Sequence, residues 1–305
     1  GFRFDLMGLH DLDTMEQIVV EAKKINEHVV IYGEPWTGGT STGDYSSAKQ
    51  ANGNKYNGYG AFNDKIRDAL IKGGLSGDSE LGWITNTSAI SGEDKSILLA
   101  GIRGVTMGDA IISDPDKSVT YVTCHDNYTL YDRFIATGRY SKNDEETLAK
   151  MNVLANSVVF TSQGTSFMLA GEEFLRTKNG SKNSYNLPYS DNELNYALKV
   201  KHLDMFENYK KMIAFKQSVD GLHLDKDGIL GFNPEFSSSS ATISYKLSDT
   251  ANEREYIIIH SNGVGESKTF DLSDYTLYWS TISGNEKTLS NATEIEKYET
   301  IIAYK

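Results

Sequence analysis

Three apolar segments of the sequence each end in an acidic residue, and carboxylates are the groups with which enzymes cleave the bonds between sugars. The segments are GFRFD (1–5) with Asp5, IYGEP (31–35) with Glu34, and YVTCHD (121–126) with Asp126. An acid at the end of a buried strand adds nothing to a core, but it places a carboxylate where βα loops carry catalytic groups. Glycoside hydrolysis needs two such groups across the scissile bond, one ionised and one protonated.

The neighbours of the first two acids predict different protonation states. Arg3 lies on the same strand face as Asp5, because side chains alternate with a period of two, and its positive charge favours an ionised Asp5. Glu34 is followed by Pro35 and Trp36 and has no cation beside it in the sequence. Partial burial is therefore expected to raise the pKa of Glu34 and to suit it to proton donation.

The third acid follows His125 in the sequence, and the pair could hold sugar hydroxyls and distort the ring. Each acid also has a structural alternative. Asp5 could form a buried ion pair with Arg3, Glu34 could be a loop carboxylate, and His125 with Asp126 could be a capping pair. The occurrence of all three acids at strand ends, in this order, favours a common site over three separate structural roles.

Strand-like and helix-like patterns alternate over the first two-thirds of the chain, which predicts an α/β region with a parallel sheet. Asp13 and Glu16 resemble a capping box at the start of the first helix, and Gly73-Gly74 is expected to end the second. The predicted strands cover 1–7, 29–32, 119–124 and 167–170. The predicted helices cover 13–27, 63–71, 145–160 and 203–216.

The pattern changes near residue 221, where short strands separated by turn residues replace the alternation. The predicted strands cover 241–247, 256–261, 268–272, 277–282 and 300–304. This pattern indicates an all-β domain, with an antiparallel sandwich as its architecture. We therefore divide the chain into residues 1–220 and 221–305.

The bulk composition excludes some partners. A net charge of −12 over 305 residues argues against nucleic acid, whose phosphates require a positive surface. No apolar run is long enough to span a bilayer, and no secretory signal is present. Cys124 is the one cysteine, so no intrachain disulfide can form, and its strand-like flanks predict a buried, unreactive thiol. Aromatic residues make up 11% of the chain, which suits sugar binding but is also common in β-rich domains.

Longer strings around these acids resemble a known enzyme family. The segment around Asp5 resembles conserved regions of the α-amylase superfamily, as do IYGEPW and YVTCHDN, and the fuller strings are similar to type I pullulanases, the starch-debranching enzymes. The likeness extends over nearly all of residues 1–217. The strings that carry it are GFRFDLMGLHD (1–11), FNDKIRDAL (62–70), SQGTSFMLAGEEFLRTK (162–178) and NSYNLP (183–188).

The resemblance implies roles for individual residues. Asp5 would be the nucleophile, Glu34 the general acid/base and Asp126 the stabiliser of the transition state, in a retaining hydrolysis of α-1,6 links in pullulan, amylopectin and limit dextrins. The carboxyls of Asp5 and Glu34 would then lie about 5–5.5 Å apart. The residues that would bind substrate are Arg3, Leu6, Trp36, His125, Asn183 and Tyr185.

The resemblance also implies a (β/α)8 barrel, of which the chain offers only about five strands. We therefore expect the C-terminal half of that barrel, about strands 4 to 8, followed by the sandwich. The upstream strands would lie before Gly1, so the isolated chain is expected to have little activity. Its unpaired sheet edges would bind the N-terminal remainder of the enzyme or another copy of the chain.

Two alternatives stay open at this point: an α-1,4-acting hydrolase or transferase of the same superfamily, and a non-catalytic glucan-binding fragment. No cofactor is required by either mechanism. Related enzymes often bind Ca²⁺, but the chain has no EF-hand motif, and the acids at 144–146 and 172–173 are expected to be helix-start or loop carboxylates. The resemblance implies an extracellular or cell-surface location in a bacterium, and a cytoplasmic one stays open.

Overall fold

A five-stranded parallel sheet forms the centre of the first part of the chain. The computed structural model describes residues 1–43, 45–74, 77–86, 88, 90–107, 112–264 and 268–305. The strands follow one another across the sheet in chain order, and each pairs in parallel with the next. The predicted α/β region is therefore confirmed. The strands are β1 (Phe2–Phe4), β2 (Ile31–Gly33), β3 (Gly60–Phe62), β4 (Ser118–Thr120) and β5 (Thr165–Ser166).

The register of the first two strands places two acids side by side. Arg3 lies opposite Tyr32, and Phe4 lies opposite Gly33. The residues that follow Phe4 and Gly33 are Asp5 and Glu34, which therefore lie side by side. A Cβ atom at Gly33 would come within 2.6 Å of the Phe4 carbonyl oxygen. Glycine is therefore required at this position for the two strand ends to approach each other.

Eight helices lie in the described part of the chain. The predicted helix at 145–160 is confirmed, and the one predicted at 203–216 continues by two residues. Four helices that the sequence analysis did not predict occur at 92–102, 130–136, 189–192 and 197–201. The helices are α1 (Leu12–Ile25), α2 (Asp64–Ile71), α3 (Gly92–Ile102), α4 (Leu130–Ala136), α5 (Glu145–Phe160), α6 (Tyr189–Asn192), α7 (Ala197–Lys201) and α8 (Leu203–Ser218).

The ends of the first two helices differ from prediction. The cap of α1 is Asp11 and not Asp13, because the Asp11 carboxylate accepts bonds of 2.7 Å from both the amide and the hydroxyl of Thr14. Helix α2 ends at Ile71. Its C-cap is Lys72, whose φ of 48° lies in the left-handed region. The glycines that follow are therefore not the residues that end this helix.

The second part of the chain contains two antiparallel sheets, one of five strands and one of two. The larger has the order β10-β12-β8-β7-β6, and the smaller pairs β9 with β11. The strand predicted at 300–304 is confirmed, whereas β6 and β11 were not predicted. The strands are β6 (Glu235–Phe236), β7 (Thr242–Asp249), β8 (Arg254–Ser261), β9 (Lys268–Phe270), β10 (Thr276–Ser280), β11 (Thr293–Ile295) and β12 (Thr300–Tyr304).

One apolar core connects the helices of the first part to the larger antiparallel sheet, and it includes Phe215 of α8, Tyr245 of β7 and Ile258 of β8. Polar contacts cross the same junction. The indole nitrogen of Trp83 donates to the Ser240 carbonyl at 2.9 Å, and the Asn262 amide donates to the Trp83 carbonyl at 2.9 Å. The two parts therefore share buried contacts.

A smaller apolar cluster lies between the two antiparallel sheets and includes Ile259, Ile295 and Ile301. The larger sheet is therefore covered on both faces, by the helices on one side and by the small sheet on the other. Among the helices of the described residues, none combines the length and hydrophobicity needed to cross a bilayer.

Candidate active site

The guanidinium of Arg3 lies between the first two acids at the carboxyl edge of the sheet. Its Nη2 is 2.5 Å from Glu34 Oε1, and its Nη1 is 3.4 Å from Asp5 Oδ1. The three side chains come from adjacent strand ends, as their spacing predicted. Asp5 is exposed and Glu34 is buried, with only 2% of its surface exposed. One cation therefore contacts both carboxylates of the candidate site.

This geometry corrects one expectation about Glu34. The carboxyl does have a cation beside it, because Arg3 reaches across from the neighbouring strand. Burial nevertheless raises the pKa of Glu34, since desolvation outweighs the Arg3 charge, and a hydrogen bond with Asp5 acts in the same direction. The predicted direction is therefore confirmed, and a raised pKa is what a proton donor at this position needs.

Leu6 contributes a backbone contact to this pair. Its N–H donates to Glu34 Oε2 at 3.2 Å, while its φ of 44° and ψ of 44° place it in the left-handed region. A leucine rarely adopts this conformation, which costs roughly 1–2 kcal/mol. Leu6 was predicted as a substrate-binding residue, and in the structure its N–H orients the Glu34 carboxyl. The left-handed backbone has no signal in the sequence, because glycine or asparagine would be expected there.

The third acid follows β4 after five further residues, because this strand ends earlier than predicted. The side chains of His125 and Asp126 are each 61% exposed, and the imidazole Nε2 is 3.5 Å from Asp126 Oδ1. Both side chains therefore project toward solvent from the carboxyl edge of the sheet.

An aromatic layer lies beneath the strand ends. Phe62, Val119 and Tyr121 form its buried part, and Trp36 and Cys124 pack against it. Trp36 is two residues after Glu34, and Cys124 is two residues before Asp126. The strand end that carries Glu34 and the segment that carries Asp126 therefore contact one aromatic floor.

Cys124 was predicted to be buried and unreactive, and it is partly buried. Its thiol donates to the Asp126 carbonyl oxygen at 3.9 Å, and burial raises the pKa of the thiol. A raised pKa lowers the fraction of reactive thiolate at neutral pH.

The other two predicted substrate residues lie on a more distant loop. Asn183 and Tyr185 are exposed, Tyr185 at 82%, and neither hydrogen bonds to the acids in the part of the chain that the structure describes. The loop is connected to the site through Lys182, whose ammonium is 2.6 Å from Asp78 and 5.1 Å from the centre of the Tyr128 ring. The structure therefore does not bring these two residues into contact with the acids.

Buried charged residues behind the site were missed by the sequence reasoning. Lys178 and Glu172 are each 1% exposed and come from the turn that follows β5. Asp132, at the start of α4, accepts hydrogen bonds from the Lys178 amide, the Gly180 amide and the Thr177 hydroxyl. Charged side chains are normally expected at the surface, so their burial gives no periodic signal that would have revealed them.

A large cavity lies at the other end of the sheet. It has a volume of about 650 Å³ and is lined by the amino ends of β2 to β5 and by Lys216 of α8. A much smaller depression of about 20 Å³, close to the volume of one water, is lined by Cys124, Asp126 and Tyr128. No cluster of three or more metal-binding side chains occurs among the described residues. Asp144 caps α5, as expected of a helix-start carboxylate.

A parallel sheet with paired acids at its carboxyl edge is the arrangement of a glycoside hydrolase. No family model matches the chain. Comparison with known proteins finds similarity to starch-debranching glycoside hydrolases.

The relatives in that class include pullulanases, and the predicted resemblance is confirmed. Pullulanase from Bacillus subtilis strain 168 is 29% identical over 267 residues, which are 85% of this chain and 36% of that protein. The structure of pullulanase from Bacillus acidopullulyticus covers 100% of this chain with a TM-score of 0.86 and 31% identity, and 38% of that chain is matched. Pullulanase from Paenibacillus barengoltzii, in complex with maltohexaose and α-cyclodextrin, matches 100% of this chain and 47% of its own, with a TM-score of 0.85 and 30% identity. The chain thus spans little more than a third of the first of these relatives.

Proposed function

We propose that this chain carries the catalytic acids of a starch-debranching glycoside hydrolase that cleaves α-1,6 links with retention of configuration. The observation that carries the proposal is the contact of Arg3 with both Asp5 and Glu34, at adjacent strand ends. One of these two carboxyls is buried and the other is exposed. The pair therefore has the difference in environment that separates a proton donor from a nucleophile.

The chemistry follows from these environments. The exposed Asp5 carboxylate attacks the anomeric carbon, and the bond from that carbon to the leaving oxygen breaks as Glu34 donates its proton to this oxygen. Glu34, now ionised, removes a proton from a water molecule, which attacks the same carbon and releases Asp5. Arg3 orients both carboxylates, and its charge stabilises whichever of them is ionised. Asp126 and His125, across the aromatic floor, hold the hydroxyls of the distorted sugar.

The contact of both carboxyls with one guanidinium supports retention over inversion. The Arg3 guanidinium lies 2.5 Å from Glu34 and 3.4 Å from Asp5, which keeps the two carboxyls close together. An inverting enzyme needs about 6.5–9.5 Å between its carboxyls to admit a water molecule, whereas a retaining pair lies about 5–5.5 Å apart.

The substrate class rests on the relatives. The Paenibacillus barengoltzii pullulanase is described in complex with maltohexaose and α-cyclodextrin, which are α-glucans. We therefore propose an α-glucan as the substrate here. The aromatic floor that includes Trp36, together with the exposed Tyr185, offers apolar surfaces of the kind that pack on sugar rings.

We further propose that the five parallel strands are part of a (β/α)8 barrel, followed by an antiparallel sandwich. The support is the chain-order arrangement of β1 to β5, which a barrel requires, and the open edges of β1 and β5. Additional strands would pair with these edges. Light scattering tests this proposal: the 305-residue chain is expected to self-associate, and the natural polypeptide that contains it is expected to be monodisperse.

The decisive experiment is product analysis on pullulan with the natural polypeptide that contains this chain. Release of maltotriose supports α-1,6 cleavage, whereas panose or isopanose supports the α-1,4-acting alternative. Glucan binding without any product, unchanged by Asp5→Asn and Glu34→Gln, would support the non-catalytic alternative. The isolated chain, assayed in parallel for reducing ends, is expected to have little activity.

A further inference from the structure

The turn after β5 holds both ends of the segment Thr123–Asp126. At one end, the Lys178 ammonium donates to the His125 carbonyl oxygen at 2.8 Å. At the other, the Thr123 hydroxyl donates to the Glu172 carboxyl. Lys178 thus contacts the backbone of the segment that carries Asp126, and Glu172 contacts a side chain of the same segment. Both residues are buried from solvent.

Lys178 is itself fixed by the start of α4. Its backbone N–H donates to Asp132 Oδ2 at 2.6 Å, and the same carboxylate accepts from the Gly180 amide at 3.1 Å. Asp132 is six residues after Asp126 in the sequence. The turn and the helix therefore enclose the segment from two sides, and the ammonium is its link to the turn.

Glu172 is fixed by the helices beneath. The side-chain amide of Asn156, in α5, donates to Glu172 Oε2 at 3.2 Å and to the hydroxyl of Tyr209, in α8, at 2.7 Å. The Thr123 hydroxyl is therefore anchored to the helical layer through one buried carboxyl. Burying an ammonium or a carboxyl is costly unless the group is hydrogen-bonded, and both of these groups bond to one segment of four residues.

We propose that Lys178 and Glu172 are positioning residues, which hold His125 and Asp126 in place at the carboxyl edge of the sheet. They act through the segment and do not contact substrate. Their effect on catalysis rests on the proposed function, whereas their effect on the order of the segment does not. The two effects can therefore be measured separately.

The order of the segment can be measured through Cys124, which lies within it and is the one cysteine of the chain. The rate of alkylation of this thiol, followed by mass spectrometry of its peptide, reports local opening. Lys178→Met is expected to raise the rate about 10-fold, because it removes a hydrogen bond from a charged donor. The matched control is Lys150→Met, the same change at an exposed lysine of α5.

Glu172 provides a second pair of variants. Glu172→Gln retains a group that can accept from Thr123, and we expect an alkylation rate within about 3-fold of the wild type. Glu172→Ala removes the acceptor, and the rate is expected to rise about 10-fold. Glu146→Gln, at the exposed partner of Lys150, controls for the loss of a carboxylate.

Hydrolysis of pullulan by the natural polypeptide gives an independent measure. Lys178→Met is expected to lower kcat about 10-fold or more with little change in KM, because a displaced Asp126 weakens stabilisation of the transition state more than binding. Lys178→Gln, which keeps an N–H donor, is expected to recover part of both the kcat and the low alkylation rate. If Lys178→Met fails to fold, Lys178→Gln alone is compared with the wild type.

The possible outcomes separate the two proposals. If Lys178→Met matches Lys150→Met in alkylation rate and in kcat, well below the unfolding temperature, the positioning role is overturned. If Lys178→Gln shows no recovery relative to Lys178→Met, the hydrogen bond to His125 is not the cause and the role is likewise overturned. If the wild type hydrolyses no glucan but alkylation responds as expected, the positioning role stands and the proposed function fails.

Discussion

Arg3 and Glu34 form an ion pair of 2.5 Å across the first two strands of the parallel sheet. The register of the strands makes the pair possible, because Arg3 lies opposite Tyr32, two residues before Glu34. Burial raises the pKa of the Glu34 carboxyl, although the adjacent Arg3 cation acts to lower it. A buried acid that stays available as a proton donor beside an arginine is the central electrostatic property of this site.

Replacement of Arg3 by lysine tests whether one cation serves both acids. An ammonium is a point charge and cannot contact two carboxylates with the geometry of a guanidinium. We expect Arg3→Lys to lower kcat/KM on pullulan by about 10- to 100-fold, from the loss of one charge-assisted hydrogen bond. Lys24→Met, at an exposed ion pair of α1, is the surface control and should leave kcat/KM unchanged. Equal activity of Arg3→Lys and the wild type would contradict the shared contact.

The roles of Glu34 and Asp5 can be separated by the leaving group of the substrate. Glu34→Gln is expected to lower kcat on pullulan by about 10²- to 10⁴-fold, the usual contribution of general acid catalysis. An α-glucoside with an acidic phenol as leaving group needs no proton, so the glycosylation step of Glu34→Gln should recover on it.

Asp5→Asn should show no such recovery, because the attacking carboxylate is absent whatever the leaving group. The measurement is the burst of phenol in a stopped-flow spectrometer. If both variants recovered equally, or if Asp5→Asn alone did so, the assignment of the two roles would be wrong.

Glu172 should make the protein less stable as the pH rises. Burial raises the pKa of this carboxyl from 4.5 to about 8. Between these values the folded chain keeps a proton that the unfolded chain releases, so stability falls by about 1.4 kcal/mol per pH unit from this group. Glu172→Gln should remove that slope between pH 4.5 and 8, and Glu146→Gln should leave it unchanged. Chemical denaturation at several pH values measures the slope, and an unchanged slope in Glu172→Gln would refute the prediction.

His260 should act in the opposite direction at lower pH. It is completely buried between Tyr245, Thr161 and Thr300, and burial lowers its pKa from 6.5 to about 3. Between these values the unfolded chain binds a proton that the folded chain does not, so stability falls as the pH decreases from 6.5 to 3. His260→Gln should reduce this loss on acidification, whereas His28→Gln, at an exposed histidine, should not. The same pH series of denaturation curves provides the test.

The sequence predicted the acids and their order better than it predicted the structure around them. Asp5 and Glu34 could be placed because each directly follows a short apolar run, which is a local signal. The contact of Arg3 with Glu34 was missed, because it depends on the register between two strands whose paired residues are 29 positions apart in the sequence. The residues beside Glu34 in the sequence include no cation, so no cation was expected near its carboxyl.

Other features were not predicted from the sequence, for different physical reasons. Strand β3 was not predicted, because its residues 60–62 are few and are preceded by a polar stretch. Helix α3 was missed because its apolar residues are gathered in its second half and do not form a stripe along one face. The buried charges Lys178 and Glu172 could not be distinguished from surface residues without knowledge of the fold. Both residues lie in the string 162–178 that resembles pullulanases, but the resemblance assigned neither of them a role.

The hydrogen bonds that Trp83 forms with Ser240 and Asn262 limit how this chain can be recombined with related chains. Each bond satisfies a buried polar atom of one part with an atom of the other. A terminal β region transplanted from a relative would leave the indole nitrogen and the Trp83 carbonyl without partners unless it brought equivalent groups. Residues 221–305 are therefore not an interchangeable module, and successful chimeras with the related pullulanases would have to exchange the Trp83 loop together with them.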